Sequence, residues 1–180
     1  FNDSDCCITG ELVSNIGKMN DIRNGIYIGG GTGIADGILL DGKIINLNDD
    51  KGLKKSWELI LPEGTNVESY LSPGGILKNH NLKYKTKIST LNELSASKYF
   101  EETLSNAITA FNYLLRDRLE FFQKHKQDIE KIVIGQRLGQ FLNEQPKSVK
   151  HLFRKDNIAP VEFSFQREIA ALGAAWKGSC

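Results

Sequence analysis

Apolar positions recur along this chain at several spacings, and each spacing predicts a different element. Ile8, Leu12 and Ile16 stand four apart behind a group of cap-forming side chains, which predicts a helix from about Ser4 to Asn15 closed by Gly17. Short apolar runs then alternate with glycine. Gly25-Ile26-Tyr27-Ile28 leads into Gly29-Gly30-Gly31-Thr32-Gly33, and Gly37-Ile38-Leu39-Leu40 meets the Asp41-Gly42 turn signal before Lys43-Ile44-Ile45. Two consecutive hairpins fit this pattern. A dinucleotide loop does not, because no register supplies G-x-G-x-x-G: counted from Gly29 the sixth position is Ile34, and from Gly31 it is Asp36.

Further on, Phe100, Leu104, Ala107, Ile108, Phe111, Leu115, Leu119 and Phe122 fall on one stripe at spacings of three and four. This predicts a helix from Ser95 to Lys126 with Arg116, Asp117, Arg118, Lys124 and Lys126 on its solvated face. Ile129 to Gly135 reads as a β-branched strand that runs into a helix over Gln136 to Asn143. A polar helix or loop over Lys147 to Lys155, a strand over Pro160 to Ser164 and a small-residue helix from Gln166 to Trp176, able to lie close against a sheet, complete an α/β pattern.

Composition removes several classes of function. With 23 basic against 22 acidic residues the chain carries no basic footprint for nucleic acid, and no apolar run approaches a membrane span. No leader pattern opens it. At 180 residues one domain with a substantial core is expected. Cys6, Cys7 and Cys180 form neither a CxxC pair nor a disulfide framework, which suits a reducing cytoplasm, and His80, His125 and His151 have no ligand spacing.

The candidate chemistry lies in three places. Gly29, Gly30, Gly31 and Gly33 can adopt positive φ without a Cβ clash, so their N–H groups can converge on one anion, with the Thr32 hydroxyl as a further donor. A structural glycine-rich hairpin would show the same residues. Asp3 stands at a helix start, where unpaired N–H groups favour a carboxylate; that position suits either a general base or a simple cap. Glu58 and Glu68 lie beside apolar runs, as edge-of-core carboxylates do and as sugar-binding carboxylates also do.

Taken together, five segments in order resemble the ROK family of sugar kinases, repressors and open reading frames, within the actin/hexokinase superfamily. Asn2-Asp3-Ser4-Asp5 resembles the family's asparagine-aspartate-alanine-asparagine motif, which would make Asp3 the catalytic base and Asn2 a substrate-binding residue. Gly31-Thr32-Gly33, followed by a strand and the Gly42-Lys43 turn, resembles its second phosphate loop. There Ala35 and Asp36 replace two glycines, and an added carboxylate would repel a triphosphate unless Mg²⁺ intervenes. Glu58-Leu59-Ile60-Leu61 occupies the place of the family's glutamate-isoleucine-glycine-histidine motif, and Glu68 the place of a second sugar-binding glutamate. Ile132-Val133-Ile134-Gly135-Gln136 resembles the adenosine-side strand and glycine pair, with Gln136 as the second member, and Ala171-Leu172-Gly173-Ala174-Ala175 resembles the closing helix.

The resemblance implies an actin-like ATPase (RNase H-like) C-terminal lobe, a mixed sheet with flanking helices, spanning residues 1–180 as a single large lobe. Only Phe1 and Asn2 precede Asp3, so the N-terminal lobe and its first phosphate loop are expected to be missing. It further implies ATP and Mg²⁺ as cofactors, with Gly31, Thr32, Gly33 and Gly135 toward the nucleotide and Glu58 and Glu68 toward a hexose or amino sugar. The zinc cysteines and the sugar-motif histidine are absent, so no structural zinc is expected. A cytoplasmic location, a sugar and a nucleotide as partners, no nucleic-acid or membrane contact and room for a homodimer follow from the same likeness. Such a lobe would be inactive alone. The runner-up is a non-catalytic sugar-sensing or regulatory module of the same fold.

Overall fold

The computed structural model describes residues 3–47, 52–155 and 158–179; of Asp3, at the first position of a helix, it describes the backbone alone. The chain opens with helix α1 (Asp3–Val13) and then forms the two expected hairpins from β1 (Gly25–Gly30), β2 (Ile34–Leu40) and β3 (Lys43–Ile45). Asp41 and Gly42, at φ of 51° and 77°, make the β2–β3 turn. Helices α2 (Val67–Leu71), α3 (Pro73–Tyr84), α4 (Leu91–Ser95) and α5 (Phe100–Lys124) follow. Then come β4 (Lys131–Gly135), α6 (Gln136–Glu144), α7 (Lys147–Leu152), β5 (Val161–Phe163) and α8 (Ile169–Ser179).

The five strands form one mixed sheet in the order β3-β2-β1-β4-β5. β1 pairs antiparallel with β2 and parallel with β4, and β4 pairs parallel with β5. Strand alternation sorts the two faces. Ile26, Ile28, Ile34, Ile38, Ile132 and Ile134 face the larger core built with α2, α5 and α6. Tyr27, Leu39 and Val133 face a smaller one built with Cys7 and Ile8 of α1 and with Met19.

Two helices differ from expectation. The helix expected from Ser95 begins instead at Phe100: Ser95 closes the preceding α4, and the Ser97 hydroxyl accepts the Tyr99 N–H at 3.2 Å in the turn between the two. On α5 the buried stripe includes Leu104, Ala107, Phe111, Leu114, Leu115 and Phe122, with Ile108 and Leu119 at its margin. Arg118 sits within that stripe, not on the solvated face; it is seven positions beyond Phe111 and so in phase with the core. Its guanidinium pairs with Asp36 on β2, donates to the Lys54 carbonyl at 2.6 Å and meets Asp117 at 2.5 Å.

Helix α8, whose small residues let it lie close to a sheet, packs mainly on α1, with Ala170 against the smaller core, and glycine makes the α1 contact close enough. A Cβ on Gly10 would lie 1.9 Å from the Ile169 carbonyl oxygen, and one on Gly173 would lie 1.9 Å from that of Cys6. Lys177 at the far end pairs with Asp5 at 3.8 Å.

Candidate functional site

The β1–β2 turn, Gly31-Thr32-Gly33, stands at the carboxyl end of β1, beside the point where β4 passes directly into α6. The Gly31 N–H donates to the Gly33 carbonyl at 2.9 Å and closes the turn. Among the described residues the Thr32 and Gly33 N–H groups have no backbone partner, and the Thr32 side chain is exposed. The turn therefore offers two amides and a hydroxyl to an anion.

None of the glycines there has positive φ, which corrects the conformational argument for them; positive φ among the glycines occurs at Gly42 and Gly64. Close approach demands glycine at Gly30, whereas at Gly31 and Gly33 a Cβ would press only on the ends of side chains that can shift. A Cβ on Gly30 would meet the Leu138 Cβ at 2.4 Å, one on Gly31 the Gln136 Oε1 at 2.8 Å, and one on Gly33 the Glu68 Oε2 at 2.5 Å. The strained backbone belongs to Gln136, at φ 57°, where the resemblance has its second glycine. Its side chain reaches from the floor of the turn to the Cys7 sulfur, 3.1 Å from Nε2. Gly135 is buried against the Tyr27 hydroxyl, which a Cβ there would approach to 2.5 Å. It shapes the floor behind Gln136.

Gly31, Thr32, Gln136 and Gln140 line a cleft of about 560 Å³ together with Arg137, Phe165, Gln166 and Arg167. A second recess of about 390 Å³, walled by Leu77, Leu91 and Phe141, shares Arg137, Gln140 and Arg167 with it. The glycine cradle offers N–H donors to phosphate, and the mixed recess sets Leu77, Leu91 and Phe141 beside Ser89, Thr90 and Asn92, so the residues present fit the phosphates and base of a nucleotide. No motif marked Arg137 or Arg167 beforehand. The one usable signal was the rule that ligands meet the carboxyl ends of strands in open α/β sheets.

The other site residues lie apart from this cleft or support it. Glu68, half-buried at the start of α2, accepts the Ile34 N–H at 2.9 Å and braces the glycine turn from behind. Glu58 is exposed and accepts the Lys55 N–H at 2.8 Å within its own turn. The two carboxylates flank a closure in which Val67 N–H donates to the Leu59 carbonyl at 2.9 Å. A small recess lined by Ser4, Asp5, Ala35, Lys55 and Trp57 links the start of α1 to the turn bearing Glu58. Asn2 and the Asp3 side chain lie outside the described residues.

Asp36 does not present its charge to the turn, contrary to expectation. Two residues on from Ile34 it faces the α5 side of the sheet, buried against Arg118. Leu61, in the place of the family's histidine, is buried in the core, while Ile60 is exposed. Among the described residues no three His, Cys, Asp or Glu side chains are grouped to hold a metal, and no helix is long and apolar enough to cross a membrane.

A mixed five-stranded sheet in this order, with α1 and α8 on one face and α2, α5 and α6 on the other, has the actin-like ATPase fold. Solved structures that share it include ROK family proteins. A ROK hexokinase from Thermus thermophilus superposes with a TM-score of 0.66 at 14% identity, over 97% of this chain and 62% of that one. A ROK family glucokinase from Streptomyces griseus, solved with glucose and AMPPNP, gives 0.57 at 16% identity over 98% and 66%. A ROK family transcriptional regulator, a homologue of the E. coli MLC protein, gives 0.61 at 16% over 97% and 50%. The chain thus spans no more than two thirds of the length of these neighbours. No family model and no curated relative matches it.

Proposed function

We propose that this chain is the C-terminal lobe of an ATP-dependent sugar kinase and that its cleft holds the nucleotide. The observation that carries this reading is the glycine turn, with two amides that have no backbone partner among the described residues, opening on a cleft that adjoins a recess walled in part by Leu77, Leu91 and Phe141. Thr32 and the amides of Thr32 and Gly33 hold phosphate oxygens; Gln136 and Glu68 keep the turn in shape. Asp3, at the start of α1, takes the proton from the sugar hydroxyl that attacks the terminal phosphoryl group. Glu58 orients the sugar beside it, and Glu68 joins it only by giving up part of its hold on Ile34.

Phosphoryl transfer depends on positioning and on charge stabilisation in a closed, water-poor site. One lobe supplies one wall of such a site. The chain by itself should therefore bind nucleotide weakly and show no sugar-dependent ATP turnover. Joined to a lobe like the one its neighbours carry, it should turn over. In that form Asp3→Asn should lower kcat by roughly 10²–10⁴ with little change in sugar affinity or melting temperature. Loss of stability with turnover intact would assign Asp3 to capping and remove the base.

A second reading is a sugar-sensing module of the same fold, and burial of Leu61 favours it, since a core leucine occupies the place of a sugar-contacting histidine. The completed protein would then bind sugar without phosphorylating it. Product analysis after incubation with ATP and hexose separates the two readings.

A further inference from the structure

We infer that Arg137 and Arg167 form a clamp on the phosphate chain of the donor nucleotide, holding it between the glycine turn and the neighbouring recess. This rests on the nucleotide reading of the cleft. Arg137 lies one residue after Gln136 in the first turn of α6, and Arg167 lies just before α8, so two separate segments bring cations to one space. Both line the cleft that contains Gly31 and Thr32, and both line the recess walled by Leu77, Leu91 and Phe141. They occupy the junction, where a chain of phosphates would pass.

Both side chains are exposed, and among the described residues neither guanidinium has an ion-pair or hydrogen-bond partner. The acid that lines the shared space is Glu144, at the recess end, where its carboxylate accepts from the Gln140 amide at 3.4 Å. Two unneutralised cations facing one cleft raise its potential and favour an anion there. The turn alone is a weak cradle for a triphosphate, with two amides and a hydroxyl beside the Glu68 carboxylate. Planar guanidinium forks add bidentate, charge-assisted bonds that the turn lacks. The clamp positions the donor; it takes no part in proton transfer.

The test is titration of the isotope-labelled chain with ATP, inorganic tripolyphosphate and adenosine, followed at the Thr32 and Gly33 amide resonances and at Leu77, Leu91 and Phe141. ATP and tripolyphosphate should move Thr32 and Gly33, whereas adenosine should move the recess residues alone. Arg137→Gln and Arg167→Gln should each weaken ATP and tripolyphosphate binding about tenfold and leave adenosine binding and melting temperature unchanged, with Arg137→Lys recovering part of the loss. ATP binding unaltered in both glutamine variants overturns the clamp while sparing the nucleotide cleft. Equal loss of adenosine would also overturn it, because the arginines would then shape the recess. If neither polyanion moves Thr32 and Gly33 in the unsubstituted chain, the nucleotide reading fails and the clamp fails with it.

Discussion

Replacing Arg118 by alanine should be among the most destabilising single changes in this chain. The guanidinium is 0% exposed and its partner Asp36 is 2% exposed, so both charges were removed from water on folding and depend on each other. Truncating Arg118 leaves the Asp36 carboxylate buried beside Ile34 and Ile38 with no counter-charge, and it also takes the donor from the Lys54 carbonyl. Breaking a buried pair in this way costs about 3–5 kcal/mol, the larger part of the net stability of many domains. The intact pair is not an ideal one, since the Arg118 Nε–H has no partner among the described residues. Replacing both members by apolar residues of similar size, Asp36→Leu with Arg118→Met, should therefore restore stability to within about 1 kcal/mol or exceed it. Urea denaturation of the wild type, Arg118→Ala, Asp36→Leu and the double apolar variant at pH 7 reads these differences, with an unchanged m-value as the check that the unfolding transition is the same. A cost below about 1 kcal/mol for Arg118→Ala would refute the argument. A double variant as unstable as either single would also do so, because the loss would then come from packing and not from charge.

The remaining predictions use the same measurement. Phe111→Ala, which opens a void between α5 and Phe153, should cost about 3–5 kcal/mol, and Arg116→Ala on the exposed side should be near neutral; the reverse ranking would mean the helix phase is wrong. Glu11 is fully buried with Oε1 unpartnered, and burial raises its pKa above the ordinary 4.5. Its proton is thus favoured by folding: the contribution is present below pH 4.5 and lost as pH rises through the folded value, leaving a cost at neutrality. Glu11→Gln should accordingly stabilise the protein at pH 7.5 and lose that advantage by pH 4, and a gain of equal size at both would exclude titration as the cause. Gly173→Ala should cost about 1–3 kcal/mol and loosen α1 from α8, seen as faster amide exchange in α8.

The hairpins were legible because their information is local: alternation fixes the strand faces and Asp41-Gly42 fixes a turn. The β4 strand and the start of α6 were legible for the same reason. What could not be read were properties that depend on distant residues. Helix α3 carries Asn79, His80 and Asn81 among its apolar residues and shows a weak stripe; it is held by a Ser72 cap and by the His80 bond to Thr103 of α5 at 2.8 Å. Arg118 looks like surface until its partner 82 residues away is known. In the candidate site the glycine turn stands out in the sequence, but positive φ is not what its glycines supply. Crowding by Leu138, Gln136 and Glu68 is tertiary, and no local pattern reports it.

Asp36 and Arg118 also change how departures from a motif bear on function. In the resemblance, Asp36 counts against phosphate binding, because a carboxylate close to a triphosphate raises the energy of the bound state. That objection assumes the side chain shares the space of the backbone it hangs from. On a strand it does not: successive residues point to opposite faces, and Asp36 falls with Ile34 and Ile38 on the α5 side. There its charge meets Arg118, whose guanidinium also donates to Asp117 and to the Lys54 carbonyl, so one cation stands between two carboxylates. Burial raises the Asp117 pKa despite the adjacent guanidinium. The carboxylate that does adjoin the turn is Glu68, whose oxygen is engaged by the Ile34 N–H. Any electrostatic opposition to an anion at Thr32 and Gly33 therefore comes from Glu68, and it is this residue, not Asp36, whose neutralisation would strengthen phosphate binding.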